Sequence, residues 1–144
     1  MSPVGTLRVG VDLVAVDDVA ESVRLFGDRY VTRVYTPHEI ESCRSREGLA
    51  DGSGGLAVAS LAARFAAKEA VIKVLRPVEV QLDWRSIEVH RMTGGWCEIR
   101  LSGQAAAMAA EVGIDEFAVS LTHETSMAAA VVVGRCSSRE QGVE

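Results

Sequence analysis

The chain has 144 residues, 48% of them hydrophobic and 24% charged, with 15 Lys and Arg against 20 Asp and Glu and so a formal net charge of −5. This composition excludes a disordered chain. At 15.4 kDa folding buries about two-thirds of the unfolded surface, enough for one core and a single domain over residues 1–144. A pI near 5.2 argues against a general nucleic-acid binder, so an anionic ligand has to be gripped by a local basic cluster.

No run approaches the roughly 18 uninterrupted apolar residues of a membrane span. Residues 1–16 have no basic leader and carry Asp12 inside their apolar stretch, unlike a signal peptide. Cys43, Cys97 and Cys136 are odd in number and widely spaced, so they form neither a disulfide framework nor a metal pattern. These features point to the cytoplasm, with no nucleic acid and no membrane among the partners.

In chain order, residues 7–16 (LRVGVDLVAV) are β-branched and apolar, as in a buried strand. Residues 19–35 read as one helix, with Val19, Val23 and Phe26 apolar at helical spacing. Thr36, Pro37 and Glu39 then spell a helix start, with a capping threonine, proline at the first position and glutamate three residues on. Residues 47–55 (EGLADGSGG) read as a mobile loop. The longest helix is expected over residues 56–75, rich in alanine and stopped by Pro77. Residues 87–91 and 96–101 flank Thr93-Gly94-Gly95 as a hairpin. Residues 102–112 form a short helix closed by Gly113, and residues 117–123 and 127–134 form a second strand pair. From residue 137 the tail is polar and frayed. Late strands joined by short turns favour an α+β fold, an antiparallel sheet against a long buried helix. The many alanines suit close packing that continues across a subunit interface.

Three places carry chemistry. Asp12 stands in an apolar strand, where a carboxylate must be paired, hydrogen-bonded or bound to a cation. Glu69 and Lys73 are four apart on one helix face, with Phe65 a turn earlier. A surface ion pair is the ordinary explanation for such spacing. Here the neighbours are almost all alanine and apolar residues, so a carboxylate, an ammonium and Arg64 in that setting suit a metal with phosphates. Mg²⁺ takes one or two carboxylates plus phosphate oxygens and waters, a count that Asp12 and Glu69 meet. Thr122 and His123, at a strand end, could together hydrogen-bond an anion, although a lone histidine there is more often structural. His38 and His90 receive no role.

GVDLV at 10–14, YTPHE at 35–39 with Cys43, residues 62–73, WRSIEV at 84–89 and VSLTHE at 119–124 recur in one order. In this the chain resembles the holo-acyl-carrier-protein synthases, the small class of 4′-phosphopantetheinyl transferase, across residues 8–133. ARFAAKEAVIK at 63–73 is the most specific piece. The resemblance implies transfer of the 4′-phosphopantetheine arm of coenzyme A to a serine of an apo acyl carrier protein, releasing adenosine 3′,5′-bisphosphate. It implies that Asp12 and Glu69 bind Mg²⁺ with the pyrophosphate and that Lys73 neutralises the phosphates as the P–O bond breaks. Arg64, Lys68, Thr122 and His123 would hold the nucleotide, chiefly its 3′-phosphate. Glu69, directly or through a metal-bound water, would be the base. It further implies a homotrimer with the site shared between neighbours, serving carriers of fatty-acid or polyketide synthesis.

The chain departs from the family pattern at three points. Asp18 stands where members often carry an arginine that docks the acidic carrier. The residues after Leu75, RPVEV, replace a Gly-Thr-Gly type loop, and Trp96 replaces a hairpin proline. A non-catalytic subunit that binds coenzyme A or a carrier protein would tolerate all three, but it would not need Asp12, Glu69 and Lys73 together. A different Mg²⁺-dependent nucleotide enzyme would need a phosphate loop, and no GxxxxGK pattern is present.

Overall fold

The computed structural model describes residues 5–45 and 55–137. The expected mobile loop over residues 47–55 lies outside this range except for Gly55, as does the frayed tail beyond Ser137. The described residues form an α+β fold with two antiparallel sheets, where the sequence suggested one. Strand β1 (Thr6–Ala15) pairs with β5 (Met127–Cys136), which pairs on its other edge with β4 (Ile114–His123), giving the order β1-β5-β4. Strands β2 (Ile87–Arg91) and β3 (Cys97–Leu101) form a separate hairpin.

The helix expected over residues 19–35 is two helices, α1 (Val16–Phe26) and α2 (Asp28–Val34). They part at Gly27, whose φ of 54 is a left-handed conformation that other residues rarely adopt. Helix α3 (Pro37–Ser42) carries the expected capping box: the Glu39 amide donates to Thr36 Oγ1 at 3.3 Å and the Thr36 amide to Glu39 Oε1 at 2.8 Å. Helix α4 (Val58–Leu75) ends two residues before Pro77 and is capped by Arg76 in a left-handed conformation. Helix α5 (Gly103–Val112) closes at Gly113 as expected.

Helix α4 lies across β1 and β5. Its buried Ala63, Ala66, Ala67 and Ala70 face a sheet surface that is itself small, with Ala128, Ala130 and Val132 buried. At the crossing a Cβ on Gly10 would run into the Ala70 carbonyl and stand 3.1 Å from Lys73 Cβ. Only a glycine admits that approach. Asp12, two residues further along the same face of β1, is thereby set beside the C-terminal half of α4.

The opposite face of the sheet is apolar and exposed. Along β1 the alternate residues Leu7, Val9, Val11 and Leu13 are 70%, 66%, 61% and 65% exposed, and Val131 of β5 is 38% exposed.

Candidate active site

Asp12 pairs in register with Ala130, whose side chain is buried, so strand alternation turns the carboxylate toward α4. There Lys73 Nζ donates to Asp12 Oδ1 at 3.2 Å and to the Val11 carbonyl at 2.7 Å. The Asp12 side chain is 19% exposed and that of Lys73 52%. The buried aspartate thus has a partner, and the partner keeps one face to solvent.

One turn back, Glu69 meets Asp12 across a cavity of about 410 Å³, lined also by Asp18, Ser22, Tyr30 and Phe65. Burial pushes the Glu69 carboxyl above the usual carboxylate range, the negative charge of Asp12 adds to this, and Lys73 opposes it. A carboxylate whose ionisation a neighbouring carboxylate opposes is a place where a cation is favoured. Among the described residues no three His, Cys, Asp or Glu side chains gather as a self-sufficient metal cluster. Asp12 and Glu69 are the two carboxylates here that could hold an ion such as Mg²⁺, which takes one or two carboxylates and fills its shell with water and phosphate oxygens.

The other expected ligands lie elsewhere. Lys68 does not face this cavity. It is fully buried and its ammonium donates to Glu39 Oε1 at 2.7 Å, to the Trp84 carbonyl at 3.1 Å and to the Ile87 carbonyl. An ammonium has three donors, and all three are used. Burial lowers the Lys68 pKa and the charge of Glu39 opposes the shift. Arg64 sits on the same flank of α4, 7% exposed, with Nη1 donating to the Ser60 carbonyl at 3.2 Å. Its Nε is buried with no partner among the described residues. Burial pushes the Cys43 thiol up to about 11, and the positive charge of Arg64 opposes the shift. Thr122 and His123 pair with Ala129 and Ala128 at the end of β4, two strands from β1. At the usual strand spacing that is roughly 10 Å. They line a separate cavity of about 350 Å³ with Leu13, Glu124 and Met127.

Sequence reasoning placed Asp12, Glu69 and Lys73 together and missed Tyr30 as a wall of the site. It also read Glu39 as a helix cap only. Besides capping α3 and pairing with Lys68, Glu39 accepts the Val89 amide at 2.9 Å, binding α3 and α4 to β2.

Comparison with known proteins identifies the family. A family profile described as the 4′-phosphopantetheinyl transferase superfamily matches residues 8–131. The holo-[acyl-carrier-protein] synthase of Moorella thermoacetica is 38% identical over 138 residues, 94% of this chain and 99% of its own. That of Chloroflexus aurantiacus is 41% identical over 138 residues, covering 86% and 94%. Among solved structures, the Chronobacterium ammoniagenes ACPS–CoA complex superposes with a TM-score of 0.75 at 28% identity, over 91% of this chain and 98% of that one. With its aspartate strand, its Glu69–Lys73 helix and these relatives, the chain belongs to the holo-[acyl-carrier-protein] synthase family of 4′-phosphopantetheinyl transferases.

Proposed function

We propose a division of labour for the reaction of this family. The chain transfers the 4′-phosphopantetheine arm of coenzyme A to a serine of an apo acyl carrier protein and releases adenosine 3′,5′-bisphosphate. The serine oxygen attacks the phosphorus that bears the arm, and the bond from that phosphorus to the oxygen of the nucleotide 5′-phosphate breaks. Such a transfer needs alignment and charge neutralisation more than covalent help. Glu69, beside Asp12 in the cavity, takes the serine proton directly or through a water. Lys73, half in solvent beside Asp12, neutralises the departing phosphate. Asp12 and Glu69 hold Mg²⁺, which when bound supplies positive charge against the diphosphate oxygens.

The observation that carries this reading is the meeting of Asp12, Glu69 and Lys73 where Gly10 lets β1 touch α4. The exposed apolar face of β1 and β5 supports a homotrimer, since a contiguous patch of this kind is normally covered by a partner. Thr122 and His123 line a cavity of their own beside Leu13, which supports giving them to the nucleotide at a site shared between neighbouring copies, and the buried Nε of Arg64, without a partner among the described residues, supports adding that side chain. We place the enzyme in the cytoplasm, serving fatty-acid or polyketide carriers. The test is to mix the protein with coenzyme A, Mg²⁺ and several apo carriers and weigh the carriers. A phosphopantetheine mass gain on at least one, lost in Glu69→Ala, is expected; no gain on any carrier would overturn the reading.

A further inference from the structure

Strand β2 pairs only with β3, so one of its edges has no strand partner among the described residues. The backbone groups along such an edge have to be satisfied by something else. Three side chains do this in succession: Lys68 of α4 donates to the Ile87 carbonyl, Glu39 of α3 accepts the Val89 amide at 2.9 Å, and His38 Nε2 accepts the Arg91 amide at 3.1 Å. Lys68 and Glu39 form a buried ion pair of their own. His38 is different, because an imidazole changes its charge close to neutral pH.

The hydrogen bonds fix where the protons sit. A backbone amide can only donate, so His38 Nε2 is bare and the ring carries its proton on Nδ1. His90 stacks on this ring, with centroids 3.8 Å apart and planes 12° from parallel. Its Nδ1 lies 2.9 Å from Glu88 Oε1 and donates to it, which leaves His90 Nε2 free to take a further proton. Burial raises the Glu88 carboxyl, but its hydrogen bonds with Thr36 and His90 outweigh this, helped by the charges of His38 and His90, so it stays ionised. The remaining groups on the packed elements are matched or neutral. Glu39 is paired with Lys68 and Glu41 with Arg44, and burial keeps the Cys43 thiol neutral beside Arg64. On β3, Cys97, Glu98 and Arg100 stand in register opposite Arg91, His90 and Glu88. A charge on His90 is therefore met by Glu88, whereas beside His38 Nε2 stand only the Arg91 amide and, at 3.4 Å, the Ser42 hydroxyl.

We propose that His38 is a proton-operated latch between α3 and the outer end of β2, closed while Nε2 is bare and opened when it is protonated. A proton on Nε2 points at the Arg91 N–H, donor against donor, and the bond is lost. The protonated ring has another outlet, since the Ser42 hydroxyl can accept from it. A His90 that is already charged drives the ring the same way, because two like charges then lie in rings 3.8 Å apart. The opening is local. Ile87 and Val89 remain tied by Lys68 and Glu39, so the base of the hairpin stays on α4. What is released is the stretch from Arg91 to the turn, where Trp96 is 59% exposed.

The experiment measures amide hydrogen exchange in the whole protein at about pH 7.5 and about pH 5, on either side of the ordinary imidazole value near 6.5. Protection is taken relative to the intrinsic rate at each pH, with the Val89 amide, whose acceptor is Glu39, as the reference. On acidification Arg91 should lose about tenfold more protection than Val89, the scale of one net hydrogen bond. In His38→Gln the side-chain oxygen can accept the same amide and takes no proton in this range, so the two amides should keep their ratio within about twofold. Equal losses at Val89 and Arg91 would mean general loosening, and an unchanged Arg91 would mean that nothing opens. A His38→Gln protein that loses Arg91 protection as wild type does would place the sensor elsewhere. Each of these results overturns the proposal. Nitrogen-15 spectra of the wild-type imidazoles give a check that needs no variant: His38 Nε2 should be bare at the higher pH and protonated at the lower, and a proton on it at the higher pH overturns the assignment.

Discussion

Lys68 Nζ stands 2.7 Å from Glu39 Oε1 with both side chains fully buried. Around this pair the acceptors are complete: Glu39 takes the amides of Thr36 and Val89, and Lys68 gives its remaining donors to the carbonyls of Trp84 and Ile87. The contact ties α3, α4, the turn at Trp84 and β2 into one unit. It fixes the roll of α4, and therefore the direction in which the next residue, Glu69, points.

Removing either member leaves the other charge buried and alone. Lys68→Met and Glu39→Gln should each cost about 3–5 kcal/mol of unfolding free energy in urea. The double substitution Lys68→Met with Glu39→Gln should cost less than the sum of the two. Losses below about 1 kcal/mol, the range of exposed pairs, would show that the pair does not carry this junction.

The metal reading makes a kinetic prediction. Asp12→Ala and Glu69→Ala should each lower kcat/KM by at least about 100-fold with an unchanged circular dichroism spectrum, because either loss lets the diphosphate shift. Lys73→Ala should lower kcat more than it raises KM for coenzyme A, since its charge matters most as the phosphate departs. Enzyme stripped with a chelator and assayed without Mg²⁺ should be inactive; full activity there would refute the assignment.

A pH prediction follows from the raised pKa of Glu69, caused by burial and then by Asp12, with Lys73 opposing. In metal-free protein, carboxyl carbon shifts should place its midpoint above that of an exposed glutamate. Asp12→Asn should lower the midpoint and Lys73→Ala should raise it. For stability the sign is fixed: the folded protein holds the proton more tightly than the unfolded chain. The stability from this group is present below the ordinary carboxylate range and lost as pH rises through the folded value. Glu69→Gln should flatten that decline, and an unaltered slope would contradict it.

Much of this was legible in the sequence because periodicity reports faces. The spacing of Glu69 and Lys73 and the capping box at Thr36 are local patterns and are found as expected, whereas residues 7–16, read as a buried strand, form β1 with one apolar face exposed. The illegible part concerns neighbours in space. Lys68 and Glu69 are adjacent in sequence, yet a helix turns about 100° per residue, so one enters a buried network and the other a cavity. Nothing local told Lys68 from a phosphate ligand, because its partner lies 29 residues away at Glu39. The break at Gly27 was hidden for a different reason: apolar spacing continues across it, and the glycine is read only through its φ of 54.

The exposed strand face gives a prediction about assembly. The protein should sediment as a trimer at micromolar concentration. Val11→Glu, placed amid Leu7, Val9 and Leu13 on that face and 61% exposed in the single chain, should release monomers and lose activity with them. A wild-type monomer of full activity would exclude a site shared between copies.

The last prediction concerns the carrier. Asp18 lines the same cavity as Asp12 and Glu69. Through Ser22 and Tyr30 that cavity adjoins one of about 530 Å³ walled by Phe26, Arg29 and Arg33. A carrier that brings its serine to Glu69 thus meets a negative charge close to the reaction and positive charges farther out. Arg24 and Arg44 contribute less than their number suggests, because Glu21 pairs with Arg24 at 3.7 Å and Glu41 with Arg44 at 2.8 Å. Exposed charges of this kind set partner choice and association rate more than tightness, and salt screens them. Asp18→Arg should therefore raise kcat/KM toward strongly acidic carriers by about tenfold at low salt, the low end of the one to three decades over which association rates vary. The gain should fade as salt is added. Arg29→Ala should lower kcat/KM toward the same carriers, and Arg24→Ala, whose charge is already paired, should do so less. Identical kcat/KM and an identical salt slope for all three variants across a carrier panel would show that this face is simply solvated and takes no part in choosing the partner.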